Sequence, residues 1–288
     1  MKKCIITLLV CFGLSQITLA ENLPFTVKEQ EAQCSKGKQN AYMVDIPQAK
    51  QDIVEKEWIK LIRKGTKSKI ENSGKEFSLR DAHLAGLKTD SLNIYNRIEP
   101  FDQGTRLIVF FETSEGFLSS ASDPANSKKA VKLLQEFGFT IYVEVIQEEL
   151  NMEEDKLSSL EKEHNRMIKD KEKMYKTIKL NKHEIETLQH EIDQNRLKAG
   201  QGFVQTQDGE LRSRSLSPID KKTKKELDKE AKKLHKKVYK LEAENRQMER
   251  DIEHTQSRID EKLQKVEEQK AVVKSVEGKL QNVKSQKP

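Results

Sequence analysis

Histidine, cysteine and acidic side chains are the residues of this 288-residue chain that could carry out catalysis or hold a metal ion. His183 and His190 lie seven residues apart, whereas two histidines that share a metal on one helix usually lie about four residues apart. His83 follows Asp81 in an expected strand, but no nucleophile pattern accompanies the pair. The spacing therefore predicts no catalytic site, no metal site and no cofactor.

Lysines dominate one stretch in the second half of the chain, which ends at Lys240. The lysines that could form a patch for an anionic surface are Lys221, Lys222, Lys224, Lys225, Lys229, Lys232, Lys233, Lys236 and Lys237. Such a run is usually a solvated helix face, and the alternative is a docking surface for an anionic polymer or lipid. Nucleic acid is not expected as the partner, because Tyr239 is the only aromatic residue available for base stacking in the stretch.

The composition combines many charges with few aromatic residues, at 35% and 6% of the chain. This balance suits long solvated helices better than one large hydrophobic core. The net charge of +6 is too small for a chain of this length to indicate a nucleic-acid-binding protein.

Residues 1–20 have the pattern of a secretory signal peptide. Lys2 and Lys3 precede an apolar run over residues 5–19, and Ala20 ends a small-residue cleavage site. The run is shorter than the roughly 20 apolar residues of a membrane span, so a cleaved leader is favoured over a retained anchor. We therefore expect export to the periplasm or cell envelope. Cys34 is then the only cysteine, either as an unpaired thiol in a flexible tail or in a disulfide between two copies.

Residues 21–40 are polar and show no period, which predicts a flexible lead-in. Residues 41–137 predict a small α+β domain, in which an amphipathic helix around Trp58 precedes three or four antiparallel strands. The strand at residues 105–113 is apolar on both faces, which indicates a central place in the sheet. Helices are expected on one face of this sheet, and Asp123-Pro124 should begin the next helix.

Two long stretches carry stripe residues at alternating spacings of three and four, which is the seven-residue repeat of coiled coils. The first helix of the coiled coil is predicted over residues 138–198 and the second over residues 218–286. Residues 199–217 between them predict a tip loop that contains a small β-ribbon. Two matched stripes joined by a short loop favour an antiparallel hairpin.

Charge pairs across the stripes favour one register for this hairpin. In that register Ile178 lies opposite Leu241, and Glu184 comes close to Lys237. Polar stripe residues such as Asn245 are expected to fix the register and the oligomeric state.

Trp58 in its helix, the strand Leu107–Phe111 and the following Gly116–Ser120 resemble a group of uncharacterised exported proteins of Gram-negative bacteria. In those proteins a small α/β domain precedes a coiled coil. The resemblance implies a location in the cell envelope, and it implies no catalytic residues.

Together these features favour a non-enzymatic exported envelope protein, whose coiled coil acts as a spacer or binding arm and presents the tip loop to a protein partner. The alternative is a periplasmic holdase-type chaperone, in which coiled-coil arms from a homo-oligomer enclose unfolded clients. A third hypothesis is an enzyme in the small domain, which would need a pocket with convergent polar groups.

Overall fold

The computed structural model describes residues 24–84, 86–87, 89, 91–102, 104–198, 204–205, 211–212 and 221–288. The expected leader at residues 1–20 lies outside this part of the chain. The architecture is α+β, as the sequence predicts, with a seven-stranded antiparallel sheet and two long helices. Among the described residues, no helix is long and apolar enough to cross a membrane.

The chain divides into two units. The sheet unit comprises the described residues through Asn151 together with Ser275–Pro288, and the helical unit comprises Met152–Lys274. The strands of the sheet unit are β1 Val27–Cys34, β2 Gly37–Pro47, β3 Ile70–Ser73, β4 Glu76–Leu79, β5 Leu92–Phe101, β6 Gly104–Thr113 and β7 Gly116–Phe117. Their order is β1-β2-β6-β5-β4-β3, and β7 pairs with the end of β6. The strand β6 therefore lies inside the sheet, as its two apolar faces predict.

The helix α1, Gln51–Ile62, is amphipathic and buries Val54, Trp58 and Ile62 from one face. The Trp58 side chain is fully buried, and its Nε1 donates a hydrogen bond to Asn96 Oδ1 at 2.6 Å. Its ring meets the Phe137 ring edge-on, with centroids 5.0 Å apart. Trp58 is thus the anchor between α1, the sheet and the next helix.

The helix α2, Pro124–Lys198, begins where the sequence predicts. The Asp123 carboxylate caps this helix, because its Oδ1 accepts a hydrogen bond from the backbone N–H of Asn126 at 3.0 Å. Pro124 fits the first turn, because the missing amide hydrogen would have no partner inside the helix.

Both helices lie on the same face of the sheet. Tyr42 on β2 and Asn96 on β5 are both cross-strand neighbours of Val109 on β6, so their side chains share one face. Asn96 receives the hydrogen bond from α1, and the Tyr42 hydroxyl donates to Ser127 Oγ of α2 at 2.8 Å. The expected layer of helices on one sheet face is therefore present.

The buried Tyr42 hydroxyl makes stability sensitive to alkaline pH. Burial raises the pKa of Tyr42 from 10.0 to about 12, although its hydrogen bond to Ser127 works in the opposite direction. The folded state thus favours the neutral phenol, so the stabilisation is complete below pH 10 and is lost as the pH rises through 12. We expect a loss of about 2 kcal/mol by pH 12 from this group.

Urea unfolding at increasing pH tests this expectation. Tyr42→Phe should be less stable than the wild type near neutral pH, because the hydrogen bond is lost, and should lose less stability as the pH rises. Tyr239→Phe, at an exposed position, is the control and should follow the wild-type pH profile. Identical pH profiles for wild type and Tyr42→Phe would contradict the assignment.

The opposite face of the sheet has its own apolar cluster, formed by Cys34, Ala41, Met43, Tyr95, Ile108 and Phe110. The sheet curls so that the turn after β1 reaches β4, where the Ser35 amide donates to Glu76 Oε2 at 3.0 Å. Phe117 packs on the Tyr95 ring, with centroids 6.1 Å apart. The sheet thus covers its second face with its own hairpins.

The expected flexible lead-in at residues 21–40 is wrong for the described part of that range. β1 occupies Val27–Cys34 and pairs along its whole length with β2, which begins at Gly37. The strand lies at the edge of the sheet, where charged side chains are common. The strand is held in place by its backbone hydrogen bonds to β2 and by the burial of Cys34 at its end. Because neither depends on alternating apolar side chains, the sequence shows no apolar period.

The boundary expected at residue 137 also differs from the structure, because the sheet unit continues through Asn151. Phe139, Ile146 and Leu150 are buried, and the Tyr142 ring meets the Phe25 ring edge-on at 6.0 Å. The first turns of the predicted coiled-coil stripe therefore belong to the sheet unit. A stripe marks a buried helix face, but it does not tell a helical partner from a sheet.

The helical unit contains the rest of α2 and most of α3, which spans Lys221–Ser285. Two short antiparallel strands, β8 Val204–Gln205 and β9 Leu211–Arg212, give the ribbon that the sequence predicts in the tip loop. The remainder of that loop, residues 199–203, 206–210 and 213–217, lies outside the described residues, as does the expected restart of the helix at residue 218.

Candidate functional site

The nine lysines of the predicted patch all lie in the first turns of α3 and are exposed. Lys237 Nζ pairs with Glu184 Oε1 at 2.7 Å, as the charge pattern of the sequence predicts. One line of four residues follows helical spacing along α3, and we call it the lysine stripe: Lys225, Lys229, Lys232 and Lys236. Within the described residues no ion pair neutralises any of these four ammonium groups.

Polar side chains on α2 and α3 hydrogen-bond to each other at the two stripes or directly beside them. The clearest case is Asn181, whose Nδ2 donates to Asn245 Oδ1 at 2.9 Å. The other such contacts are Lys171–Gln256 at 2.5 Å, Glu163–Lys262 at 2.8 Å and Glu153–Gln269 at 2.7 Å. As the position on α2 moves back along the chain, its partner on α3 moves forward.

These contacts differ by one heptad from the register expected from charge pairs. Asn181 lies opposite Asn245, whereas the expected register would place it opposite Val238. Val238 instead packs in an apolar cluster with Ile185, Leu188 and Ile192. An exposed ion pair contributes only about 0 to 1 kcal/mol, whereas a buried amide without a partner costs about 1–3 kcal/mol. The Glu184–Lys237 ion pair is also present in the observed register, so it does not distinguish the two registers, whereas the pairing of Asn181 with Asn245 does.

A recess of about 350 Å³ lies between the last turn of α2 and the first turns of α3. We call it the terminal recess, and its lining is Asn195, Arg196, Leu227, Asp228, Ala231, Lys232 and His235. Arg196 Nη2 and His235 Nε2 are 3.2 Å apart. The Asn195 side chain is only 8% exposed, yet no hydrogen bond joins its amide to another described residue. Arg196 Nη1 also lies 3.8 Å from Asp193 Oδ1. The Asn195 amide and the Lys232 ammonium are therefore the donors of the recess that make no hydrogen bond or ion pair with another described residue.

The curled sheet contains a second polar group, centred on Glu112. Its Oε2 accepts hydrogen bonds from Tyr95 Oη at 2.8 Å and from Asn93 Nδ2 at 3.0 Å. Burial alone would raise the pKa of Glu112, but these hydrogen bonds and nearby positive charges outweigh it and lower the pKa. Burial, with the Glu112 charge, raises the pKa of Tyr95 to about 12. Neither group titrates near neutral pH, so the pair lacks the tuning of an acid–base catalyst.

A cleft of about 970 Å³ in the sheet unit lies beside the β5–β6 turn, and its charged lining residues are Lys28, Asp45, Asp102 and Lys279. Two of them, Asp45 and Lys279, are already engaged. Asp45 binds the Arg106 guanidinium through two hydrogen bonds, and Lys279 Nζ lies 2.9 Å from Glu149 Oε2.

The Cys34 thiol is buried at the end of β1 and donates to the Gly37 carbonyl at 3.3 Å. Burial raises the pKa of this thiol. The expectation of a thiol in a flexible tail is therefore wrong, and a disulfide between two copies would first require the β1–β2 turn to open.

The structure does not assemble the histidines into a site. His183 lies near Glu186, with 3.9 Å between the ring nitrogen and the carboxylate, and its side chain is 84% exposed. Within the part of the chain that the structure describes, no group of three His, Cys, Asp or Glu side chains is placed to hold a metal ion.

Comparisons with protein-family models, with curated proteins and with solved structures found no match to this chain.

Proposed function

We propose that the protein is a non-enzymatic exported protein of the cell envelope, in which α2 and α3 form an antiparallel coiled-coil hairpin that serves as a binding arm for a protein partner. The observation that carries this proposal is the pairing of polar stripe residues, above all Asn181 with Asn245. A polar pair in the seam is a common device for fixing register and partner choice in coiled coils. Here both members belong to one chain.

The pairing leaves two kinds of surface for a partner. When α2 and α3 of one chain pack against each other, their buried stripe residues are no longer available to another helix. The solvent faces of α2 and α3 and the loop between the helices remain. The loop at residues 200–216 is the contact that we propose, because it joins the two helices of the hairpin.

The holdase alternative has less support from the side chains of the helical unit. A holdase needs continuous apolar surface for unfolded clients. Among the described residues of this unit, the large exposed apolar side chains occur singly along two helices, and they are Met152, Tyr175, Leu180, Leu197, Tyr239, Leu263 and Val272. Scattered single residues of this kind are normal on a protein surface.

Replacement of residues 200–216 by a short Gly-Ser turn tests the binding arm. We expect the helical signal in circular dichroism to stay within a tenth of wild type, because the seam contacts lie outside the loop. Recovery of crosslinked partner from the envelope should fall at least about tenfold, since binding energy concentrates in a few contact residues.

The matched control changes exposed residues of α2 away from the loop, as Lys176→Ala with Lys179→Ala. This control should recover partner as well as wild type does. Undiminished recovery by the loop variant would show that the loop is not the contact.

A further inference from the structure

The terminal recess and the lysine stripe lie side by side, and Lys232 belongs to both. The inference below rests on the proposal that the helices form a binding arm, and it adds a second kind of partner. The stripe supplies four exposed positive charges. The recess supplies a place where one small group can be held by several donors.

The donor set of the recess fits an anionic oxygen group. The Asn195 amide, the Arg196 guanidinium and the Lys232 ammonium can all donate hydrogen bonds, whereas His235 Nε2 accepts one from Arg196 Nη2. Asn195 is nine-tenths buried, and its side-chain amide makes no hydrogen bond to another described residue, so its N–H groups remain available to a ligand in the recess. Asp228 also lines the recess and opposes an anion, so its removal should strengthen binding.

The lysine stripe indicates that this anionic oxygen group belongs to an extended charged surface. Its four residues span about 16 Å along one side of a helix, at about 1.5 Å per residue. Because the four residues lie on one side of the helix, they can all face a flat charged surface at the same time. Lysine is a point charge that suits diffuse attraction to such a surface.

Tyr239 supports the same reading. It follows Lys236 by three residues, which places it at the end of the stripe, and its side chain is 68% exposed. Tyrosine is enriched where a protein meets the interface of a membrane, because it combines an apolar ring with a hydroxyl.

We infer that this end of the helical unit docks on an anionic membrane surface, with the lysine stripe along the headgroups and the terminal recess around the phosphate of one lipid. No covalent step is involved. The stripe attracts the surface over the range of screened charges, and the recess selects a phosphate ester at contact.

Vesicle cosedimentation of residues 21–288 tests this inference, with vesicles of pure phosphatidylglycerol or pure phosphatidylcholine. We expect binding to phosphatidylglycerol only, and loss of binding as salt rises. Each lysine near an anionic surface contributes roughly a fivefold gain in partitioning, so K229Q/K232Q/K236Q should bind about a hundredfold more weakly. The matched control K176Q/K179Q/K274Q removes the same charge from exposed lysines elsewhere, and it should change binding less than about threefold.

Two single variants test the recess separately from the stripe. Arg196→Gln should weaken binding to phosphatidylglycerol by about tenfold, because a charge-assisted hydrogen bond is lost. Asp228→Asn should strengthen it by about threefold, because an opposing charge is removed. Circular dichroism of each variant verifies that the helices are retained.

Several results would overturn the inference. Equal losses for the two triple variants would mean attraction by net charge alone. Unchanged binding of Arg196→Gln and Asp228→Asn would remove the recess from the site. Inorganic phosphate that binds the recess as tightly as vesicles do, or long-chain polyphosphate that binds the stripe more tightly, would assign the site to a soluble anion. Loop-dependent capture of the protein partner is measured independently, so failure here is distinguishable from failure of the binding arm.

Discussion

Trp58→Ala is expected to lower the free energy of unfolding by about 4 kcal/mol, which is among the largest effects of a single substitution in a core. The side chain is fully buried, and its ring packs against Phe137. Truncation leaves a cavity, and it also leaves Asn96 Oδ1 without the donor that now lies 2.6 Å away. Urea unfolding followed by circular dichroism measures the change, because the variant has no tryptophan fluorescence.

Two variants separate packing from the hydrogen bond. Trp58→Phe keeps most of the buried ring but loses the donor, so it should cost about 1–3 kcal/mol. Tyr239→Ala removes an aromatic ring from an exposed position and should change the stability by less than about 0.5 kcal/mol. A cost below about 1 kcal/mol for Trp58→Ala would contradict the position of Trp58 as the anchor of the sheet unit.

Asn181→Leu and Asn245→Leu are expected to be strongly coupled. Each single variant leaves one amide facing a leucine, and the cost of that amide, about 1–3 kcal/mol, offsets the gain from the buried leucine. The double variant buries two leucines with no orphaned amide, and it should exceed the better single variant by about 2 kcal/mol or more. Thermal and urea unfolding of the four proteins give the coupling energy.

The double variant should also lose specificity, because the asparagine pair penalises other registers and assemblies. Sedimentation should then show more than one species for the double variant and a single species for the wild type. Strictly additive effects on stability, with an unchanged sedimentation profile, would mean that the two amides do not pair.

The two long helices could be predicted from the sequence, because the residues that indicate each helix lie within a single segment of the chain. The start of α2 follows from Asp123-Pro124, and the stripes follow from spacing along a single segment. The central place of β6 follows from its two apolar faces. The lysine patch needs only composition and helical spacing.

The sequence patterns did not predict the features that depend on contacts between residues far apart in the chain. β1 is ordered by its ladder with β2, and its exposed side chains carry no apolar period. The terminal recess joins Asn195 and Arg196 of α2 to Lys232 and His235 of α3, and these residues come together only in the observed register. That register could have been inferred by matching polar stripe residues with each other, since an unpaired buried amide costs more than an exposed ion pair returns.

The central claim is that α2 and α3 of one chain pair in opposite directions with Asn181 opposite Asn245. Spin labels at positions 182 and 249 test it most directly, in a chain whose three cysteines are replaced by serine. Lys182 and Glu249 are exposed, and their charged groups lie 3.8 Å apart. The account predicts one narrow short-range distance that is unchanged on dilution with unlabelled chain. A distance longer by about 10 Å would indicate a register shifted by one heptad. A distance of several tens of ångströms, or a signal that disappears on dilution, would contradict the pairing within one chain.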